Sequence, residues 1–393
     1  MAERIIITNG SLVTPEEVVQ HGTLVIEGGR IAEVGKRRVP LSDPGVIDAG
    51  GKLVVPGFID LHVQGCCGHD VWEADPSAVR AMAESLARFG TTAFLATTEY
   101  NAPGIAAIRS AMADGCPGAQ PLGLHIEGPF VSPRRLGAIP ESYCWPPSLS
   151  ALEEIMGVAG RDLRFMVVAP EVDGALDIVR ELSRAGVVVA IGHSDATREQ
   201  AAAGIEAGIS HATHLFNAMR GISSADIGVA GTVLTHDEVT AELVADCIHV
   251  HPAMLALAVK LKGPHGIALI SDAIRATGLP DGVYRHREND EELHVRDGAV
   301  RLRDGTIAGS TLTLNRAICN MVRRADVPLR EAVTMATHTP ARILGLAESK
   351  GALQAGMDAD IAILDGAFEV WMTLVRGRIV HAECATGCSP TRA

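Results

Sequence analysis

The chain reads as an α/β protein that closes into one (β/α)8 barrel of the TIM type, with a small β-sandwich domain built from both termini. Three observations predict this. Eight short apolar runs, near 54–60, 92–97, 121–127, 164–169, 187–193, 209–215, 241–246 and 267–272, alternate with helix-like stretches, the pattern of a parallel sheet. Most of these runs end in a histidine or an acid. Both ends of the chain carry strand-like segments broken by turn dipeptides. In a barrel of this kind the ends of successive parallel strands share one rim, and that rim is the catalytic face.

The N-terminal segments at 4–7, 23–27, 30–34 and 45–48 are separated by Asn9-Gly10, Gly28-Gly29 and Asp43-Pro44-Gly45, all turn chemistry. The C-terminal segments at 359–364, 369–375 and 378–382 repeat the pattern around Gly366 and Gly377. These ends, 1–53 and 347–393, are expected to pair into the sandwich, because termini of a compact domain often lie close together. The span 54–346 is left for the barrel. Its helices are expected at 77–89, where Val79, Met82, Ala83, Leu86 and Ala87 share a face, and at 104–113, 149–158, 174–185, 195–207 and 252–261. The rhythm breaks at 281–308, where Asp281-Gly282, Asp297-Gly298 and Asp304-Gly305 suggest a hairpin insertion over the barrel mouth. Ser310 or Thr311 then caps a helix over 312–323.

With 393 residues there is room for a barrel, which takes about 250, and a smaller module. Hydrophobic residues make up 47% but aromatics only 3%, so aliphatic side chains must fill the core. The formal charge of −13 and the lack of a basic run argue against nucleic acid or an anionic membrane as partner. Eight cysteines in a chain of this length are not a disulfide scaffold, and Cys384-x3-Cys388 reads as free thiols rather than a metal clip. No apolar run reaches the roughly 18 residues of a membrane span, and Met1 to Ile7 lacks the pattern of a secretory signal. A cytoplasmic enzyme is the expectation.

Glu127, His193 and His214 carry the chemical argument. A carboxylate and two imidazoles with one position open to water form a common catalytic zinc set. Any one of them alone reads as a hydrogen-bonded residue closing a strand; three at equivalent strand ends, with an acid at a fourth, point to a metal. Zinc is the expected ion, one per subunit, with iron or manganese as alternatives. A bound divalent ion gives a nucleophilic water at neutral pH. Asp272, ending the eighth strand, is placed to take a proton from that water and pass it to a leaving amine.

His62 and Gln64 follow the first strand as His-x-Gln. A His-x-His pair there would put two imidazoles on one face. Gln is a poor zinc ligand, so a single metal is expected, with His62 near it or hydrogen-bonded beside it. His125 and His211 are expected to point away from the pocket as structural residues. His249, just past the seventh strand, is the candidate to polarise a substrate carbonyl, and His251 competes with it.

Seven motifs then occur in order: Pro56-Gly57-Phe58-Ile59-Asp60, Gly123-Leu124-His125-Ile126-Glu127-Gly128-Pro129-Phe130, Gly192-His193-Ser194-Asp195-Ala196-Thr197, Thr213-His214-Leu215-Phe216-Asn217-Ala218-Met219, Ala245-Asp246-Cys247-Ile248-His249-Val250, Ser271-Asp272-Ala273 and Gly309-Ser310-Thr311-Leu312-Thr313. Together with Gly356-Met357-Asp358-Ala359-Asp360 they resemble the N-acetylglucosamine-6-phosphate deacetylase family of the amidohydrolase superfamily, over essentially the whole chain. The resemblance implies amide hydrolysis that releases acetate from an amino sugar phosphate. It implies metal ligation by Glu127, His193 and His214, Asp272 as proton shuttle, and His249 on the acetamido carbonyl. Asn217 and Ala218 are implied at the phosphate end, with Gln64 and Thr311 completing the substrate-binding set. It also implies a homodimer in which each subunit lends an Arg to its partner's phosphate site.

Two departures stand out. A His-Arg-Glu-Pro-Gly-like segment of the family reads here Ser223-Ser224-Ala225-Asp226-Ile227-Gly228, so Ala225 replaces the phosphate-gripping Arg. A Gly-Ala-His segment reads Gly137-Ala138-Ile139. Arg220 and Arg275 are the candidates to compensate. Deacetylation of N-acetylglucosamine 6-phosphate therefore leads. The first alternative is a deacylase of an unphosphorylated N-acyl amino sugar or another N-acyl amine. A non-catalytic interaction protein on the same scaffold would require loss of the metal or acid residues, and all are present.

Overall fold

The computed structural model describes residues 4–285 and 290–383. Eight parallel strands follow one another around a single sheet: β1 Phe58–Val63, β2 Thr91–Thr98, β3 Gln120–Ile126, β4 Leu163–Val168, β5 Val188–Ile191, β6 His211–Ala212, β7 Thr240–Val244 and β8 Ile267–Ile270. Beyond β8 the chain returns to β1. Val63 and Ala273 form a parallel bridge, and the Gln64 and Gly65 amides donate to the Ala273 carbonyl at 2.8 and 3.0 Å. Most strand residues are fully buried, which is what near-continuous Val, Ile, Leu and Ala runs require when helices cover the outer face.

The outer helices include α1 Pro76–Ala87, α2 Ala102–Asp114, α3 Leu149–Ala159, α4 Ala175–Arg184, α5 Arg198–Ala207, α6 Gly228–Thr235, α7 Pro252–Lys262 and α8 Leu314–Arg324, followed by α9 Leu329–Ala336 and α10 His338–Ile343. Several starts are fixed by caps that satisfy otherwise orphaned amides. Asp75 accepts from Ser77 N with Pro76 at the first turn, and Ser148 accepts from Ala151 N. The helix expected from 195 starts three residues later, because Thr197 caps it and forms a reciprocal capping box with Gln200. α6 escaped the sequence reading because Gly228, Gly231 and four β-branched residues give it weak helical propensity. Thr313, not Ser310 or Thr311, precedes α8.

Both ends of the chain build one further eight-stranded sheet. Leu53–Pro56 joins them, pairing antiparallel with Ile361–Leu364 and parallel with Arg4–Val13. Ile7, Leu24, Ile26, Val54, Ile361 and Leu374 are among the side chains of its separate core. The single strand expected at 54–60 is thus two: Leu53–Pro56 belongs to this sheet and β1 to the barrel. The change falls at Gly57, where a Cβ would sit 2.2 Å from Thr92 Oγ1. Only glycine lets the chain pass so close to β2.

The excursion near 281–308 is a four-stranded antiparallel meander rather than a hairpin, with strands Gly282–Arg285, Glu292–Arg296, Ala299–Arg301 and Ile307–Ser310. Leu293, Val295, Val300, Ile274 and Ala308 give it a small core of its own over the rim. Cys384 and Cys388 lie outside the described residues. Among the described residues no helix is long and apolar enough to cross a membrane.

Candidate active site

Glu127 follows β3 directly, and His193, His214 and Asp272 each stand two residues beyond β5, β6 and β8. All four are nearly buried. His193, His214 and Asp272 have φ of 45°, 26° and 52°, a backbone region that non-glycine residues seldom occupy. Such conformations persist only where the surroundings impose them, and they concentrate at functional sites.

Glu127 Oε1 lies 3.1 Å from His193 Nε2 and 2.9 Å from His214 Nε2, and the two Nε2 atoms are 3.1 Å apart. The opposite ring nitrogens fix the tautomers. His193 Nδ1 donates to the Arg135 carbonyl at 3.0 Å and His214 Nδ1 to the Asn217 carbonyl at 3.2 Å. Carbonyls only accept, so each Nδ1 carries the hydrogen and each Nε2 presents a lone pair. Two lone pairs and a carboxylate oxygen thus converge with no hydrogen among them. A cation between them removes the repulsion, and the donor set, O with two N, suits a divalent metal. Burial opposes the charge of Glu127, yet the attraction of His62 holds its carboxyl well below the usual range.

The second oxygen of Glu127 faces elsewhere. Gln64 Nε2 donates to Oε2 at 3.1 Å, and His62 Nε2 lies 3.4 Å from it. His62 Nε2 is also 3.5 Å from Asp272 Oδ1, which links the first strand to the last. His62 is fully buried beneath the cavity floor, whereas Gln64 reaches the cavity.

Below this layer the barrel interior is polar, which the sequence reading did not anticipate. Glu242, in the middle of β7, accepts from Thr213 Oγ1 at 2.7 Å and His214 N at 3.2 Å, and lies 3.4 Å from His62 Nδ1. Burial opposes its charge, but hydrogen bonds from His211 and His62 keep its carboxyl well below the ordinary range. His125 and His211 do not point away from the interior as expected. His125 is two residues from Glu127 and so shares its face of β3; its ring lies edge-on to His62 at 4.6 Å. His211 Nε2 is 3.5 Å from Glu242 Oε1. Both stay structural in their contacts: His125 Nδ1 donates to the Leu61 carbonyl, and His211 Nδ1 is 2.6 Å from Thr240 Oγ1.

Above the cluster opens a cavity of about 320 Å³, bounded by the rim loops and the meander. His249, Asn217, Ala218 and Ile139 line it. His249 Nδ1 is 2.6 Å from Asp246 Oδ2, leaving Nε2 as its free ring edge. His251 instead caps α7 by accepting from Ala253 N. Thr311 is not part of the lining; its hydroxyl donates to the Gly298 carbonyl at 3.1 Å and steadies the meander. Neither arginine proposed to compensate reaches the cavity. Arg220 pairs with Asp195 and Asp226, each at 3.0 Å, and these bonds leave Asp195 with a pKa of about 2, Arg220 contributing most and Arg135 assisting. Arg275 pairs with Asp70 at 3.2 Å and donates to the Gly68 carbonyl. Ala225 is exposed on the loop beyond.

Sequence reasoning placed Asp246 at the end of the seventh strand without giving it a role, and missed Glu242 and Glu99, the last a nearly buried acid in the cavity lining. Asp246 had a signal, its three-residue spacing from His249. Glu242 had another, an acid inside an otherwise apolar strand.

Comparison with known proteins gives concordant results. The family model described as the amidohydrolase family matches residues 53–380. The chain is 35% identical over 388 residues to N-acetylglucosamine-6-phosphate deacetylase of Bacillus subtilis (strain 168), covering 96% of this chain and 98% of that one. It is 38% identical over 367 residues to the Vibrio furnissii protein of the same name, covering 91% and 90%. The crystal structure of N-acetylglucosamine-6-phosphate deacetylase from Pasteurella multocida superposes with a TM-score of 0.90 at 28% identity, covering 97% of this chain and all of that one.

Proposed function

The chain belongs to the amidohydrolase family, and on that premise we propose that it is a metal-dependent deacetylase that converts N-acetylglucosamine 6-phosphate to glucosamine 6-phosphate and acetate. The near full-length relatives named for that reaction support the substrate. The observation that carries the chemistry is the convergence of Glu127 Oε1, His193 Nε2 and His214 Nε2 with lone pairs only.

Those three residues would hold one divalent ion, zinc by its preference for such a donor set, with iron or manganese as alternatives. When bound, the ion lowers the pKa of a water toward neutrality and polarises a carbonyl. The remaining steps belong to the protein. Asp272 stands across the floor from Glu127 and accepts the proton of the attacking water. His249, held at Nδ1 by Asp246, offers Nε2 to the acetamido oxygen. The new C–O bond forms at the acetyl carbon, the C–N bond breaks, and Asp272 returns its proton to the departing amine. His62, wedged between Glu127, Asp272 and Glu242, keeps all three carboxylates in place. Asn217, Ala218 and Gln64 face the sugar. The amide that Gln64 presents to Glu127 Oε2 puts an N–H where a second ion would need a lone pair, which supports a mononuclear site.

A homodimer in a cytoplasmic setting completes the reading. The resemblance supports the first, and six free cysteines among the described residues fit a reducing compartment. The test is acetate release from N-acetylglucosamine 6-phosphate by protein reloaded with zinc, iron or manganese after chelation. Activity that depends on the ion is expected. A metal-loaded protein without turnover would refute the assignment.

A further inference from the structure

The chain leaves β1 through a tight hairpin. Gly65–Cys66 pairs antiparallel with His69–Asp70, and Cys67 and Gly68 form the two-residue turn between them. Both turn residues have positive φ, 51° and 92°, as a hairpin turn of this length requires. The turn brings two neighbouring thiols together: Cys66 Sγ donates to Cys67 Sγ at 3.7 Å. Cys66 is fully buried, whereas Cys67 is half-buried.

The pair is polarised. The hydrogen bond from Cys66 acts most strongly on Cys67; with a second bond from Ser85 and the nearby Arg88 and His69 it outweighs burial and brings the Cys67 thiol down to about 6. Cys66, the donor, is pushed well up by the same bond and by burial. The thiolate is the nucleophilic form, so Cys67 is the reactive sulfur and Cys66 its protonated neighbour. There is little space beside it. A Cβ on Gly278 would sit 2.7 Å from Cys67 Sγ and 3.0 Å from the Phe89 ring, so closure onto Cys66 fits better than a bulky adduct.

The hairpin is also tied to the catalytic rim. The Cys67 and Gly68 amides donate to the Thr277 and Arg275 carbonyls at 2.8 and 2.7 Å, beside the bonds from Gln64 and Gly65 to the Ala273 carbonyl. All three carbonyls belong to the segment that follows Asp272. A change of shape at the turn therefore acts on Gln64 and on the Asp272 segment together.

We propose that Cys66 and Cys67 form an oxidative modification site, at which hydrogen peroxide closes a disulfide between the adjacent residues and so lowers turnover at the rim. The Cys67 thiolate attacks one peroxide oxygen, the O–O bond breaks, and hydroxide leaves, giving a sulfenic acid. The Cys66 sulfur then attacks that of Cys67. The S–S bond forms, the S–O bond breaks, and the Cys66 proton leaves with the hydroxyl as water. The peroxide gains two electrons and the two thiols lose them. Neighbouring Cα atoms are about 3.8 Å apart across a trans peptide, short of the roughly 4.4–6.8 Å that a disulfide ordinarily spans. The closed pair is therefore strained and readily reduced again, as a reversible mark requires.

The experiment treats the zinc-loaded full chain with hydrogen peroxide, maps its cysteines by alkylation and peptide mass, and follows acetate release from N-acetylglucosamine 6-phosphate. The expected result is a peptide lighter by two hydrogens, with Cys66 and Cys67 closed to alkylation. Acetate release should fall about tenfold or more, and dithiothreitol should restore both. Cys67→Ser should resist the treatment, as should Cys67→Gly, which suits the left-handed backbone there. Cys66→Ser should leave a sulfenic acid at Cys67 that dimedone captures. A Cys67 still open to alkylation after peroxide overturns the site, and so do Cys67 variants as sensitive as wild type. A closed pair with unchanged acetate release overturns its effect on turnover. The thiol mapping needs no turnover, so failure of the deacetylase reading shows separately, as reduced, zinc-loaded protein that releases no acetate.

Discussion

Asp246 Oδ2 lies 2.6 Å from His249 Nδ1, while Oδ1 accepts the Ile248 and His249 amides at 2.8 Å each. One carboxylate therefore fixes both the backbone turn after β7 and the ring that faces the cavity. Asp246→Ala should free the ring without touching the metal cluster. A charged hydrogen bond of this kind is worth roughly 1.5–3 kcal/mol, so kcat should fall about tenfold to a hundredfold with metal content unchanged. Steady-state kinetics beside metal analysis decide it; a kcat within twofold of wild type would remove His249 from the chemistry.

The acceptor-only cluster predicts one tightly held divalent ion per chain. Glu127→Gln replaces an oxygen of charge with a neutral amide and should lose most of the ion. Because the site exists only in the folded chain, chelation should also lower Tm. Elemental analysis and thermal unfolding with and without chelator test both. Two equivalents per chain, each needed for activity, would contradict the mononuclear site.

Asp272→Asn keeps the shape of the side chain but cannot accept a proton. Metal content and Tm should match wild type, and kcat should drop on the order of a hundredfold or more, as general acid–base work requires. A variant with near-normal kcat across the pH range would move the proton transfer to another group.

The strand ends were legible because the barrel needs apolar runs and the chemistry needs polar residues where they stop. Glu127, His193, His214 and Asp272 stand out on that contrast alone. What lay beneath them did not. Apolar patterning treats the interior of a barrel as hydrocarbon, so Glu242 in Thr240–Val244 passed unnoticed, although it holds His214 and Thr213. His125 was turned outward by reading it against its immediate neighbour; its partner in alternation is Glu127, two residues on. The break at Gly57 was hidden because Val54 to Asp60 is apolar on both sides of it, and only the approach of Thr92 separates two sheets there. Positive φ at three site residues leaves no mark in the sequence, since none of them is glycine.

Glu242 offers the sharpest test of that hidden layer. Its Oε2 takes Thr213 Oγ1, the His214 amide and the His62 ring edge, so it positions one member of the metal cluster through its backbone and, through His62, both Glu127 and Asp272. Glu242→Gln retains an oxygen for Thr213 and His214 but removes the charge that His62 and His211 lean on. Outer partners of metal ligands typically change affinity or activity by about tenfold to a hundredfold when altered. The variant should fold, and chelator competition should show weaker ion binding by about that factor. If Glu242 served packing alone, Tm would fall while ion affinity stayed the same. The pairing of the two measurements separates a residue that shapes the site from one that merely fills the barrel.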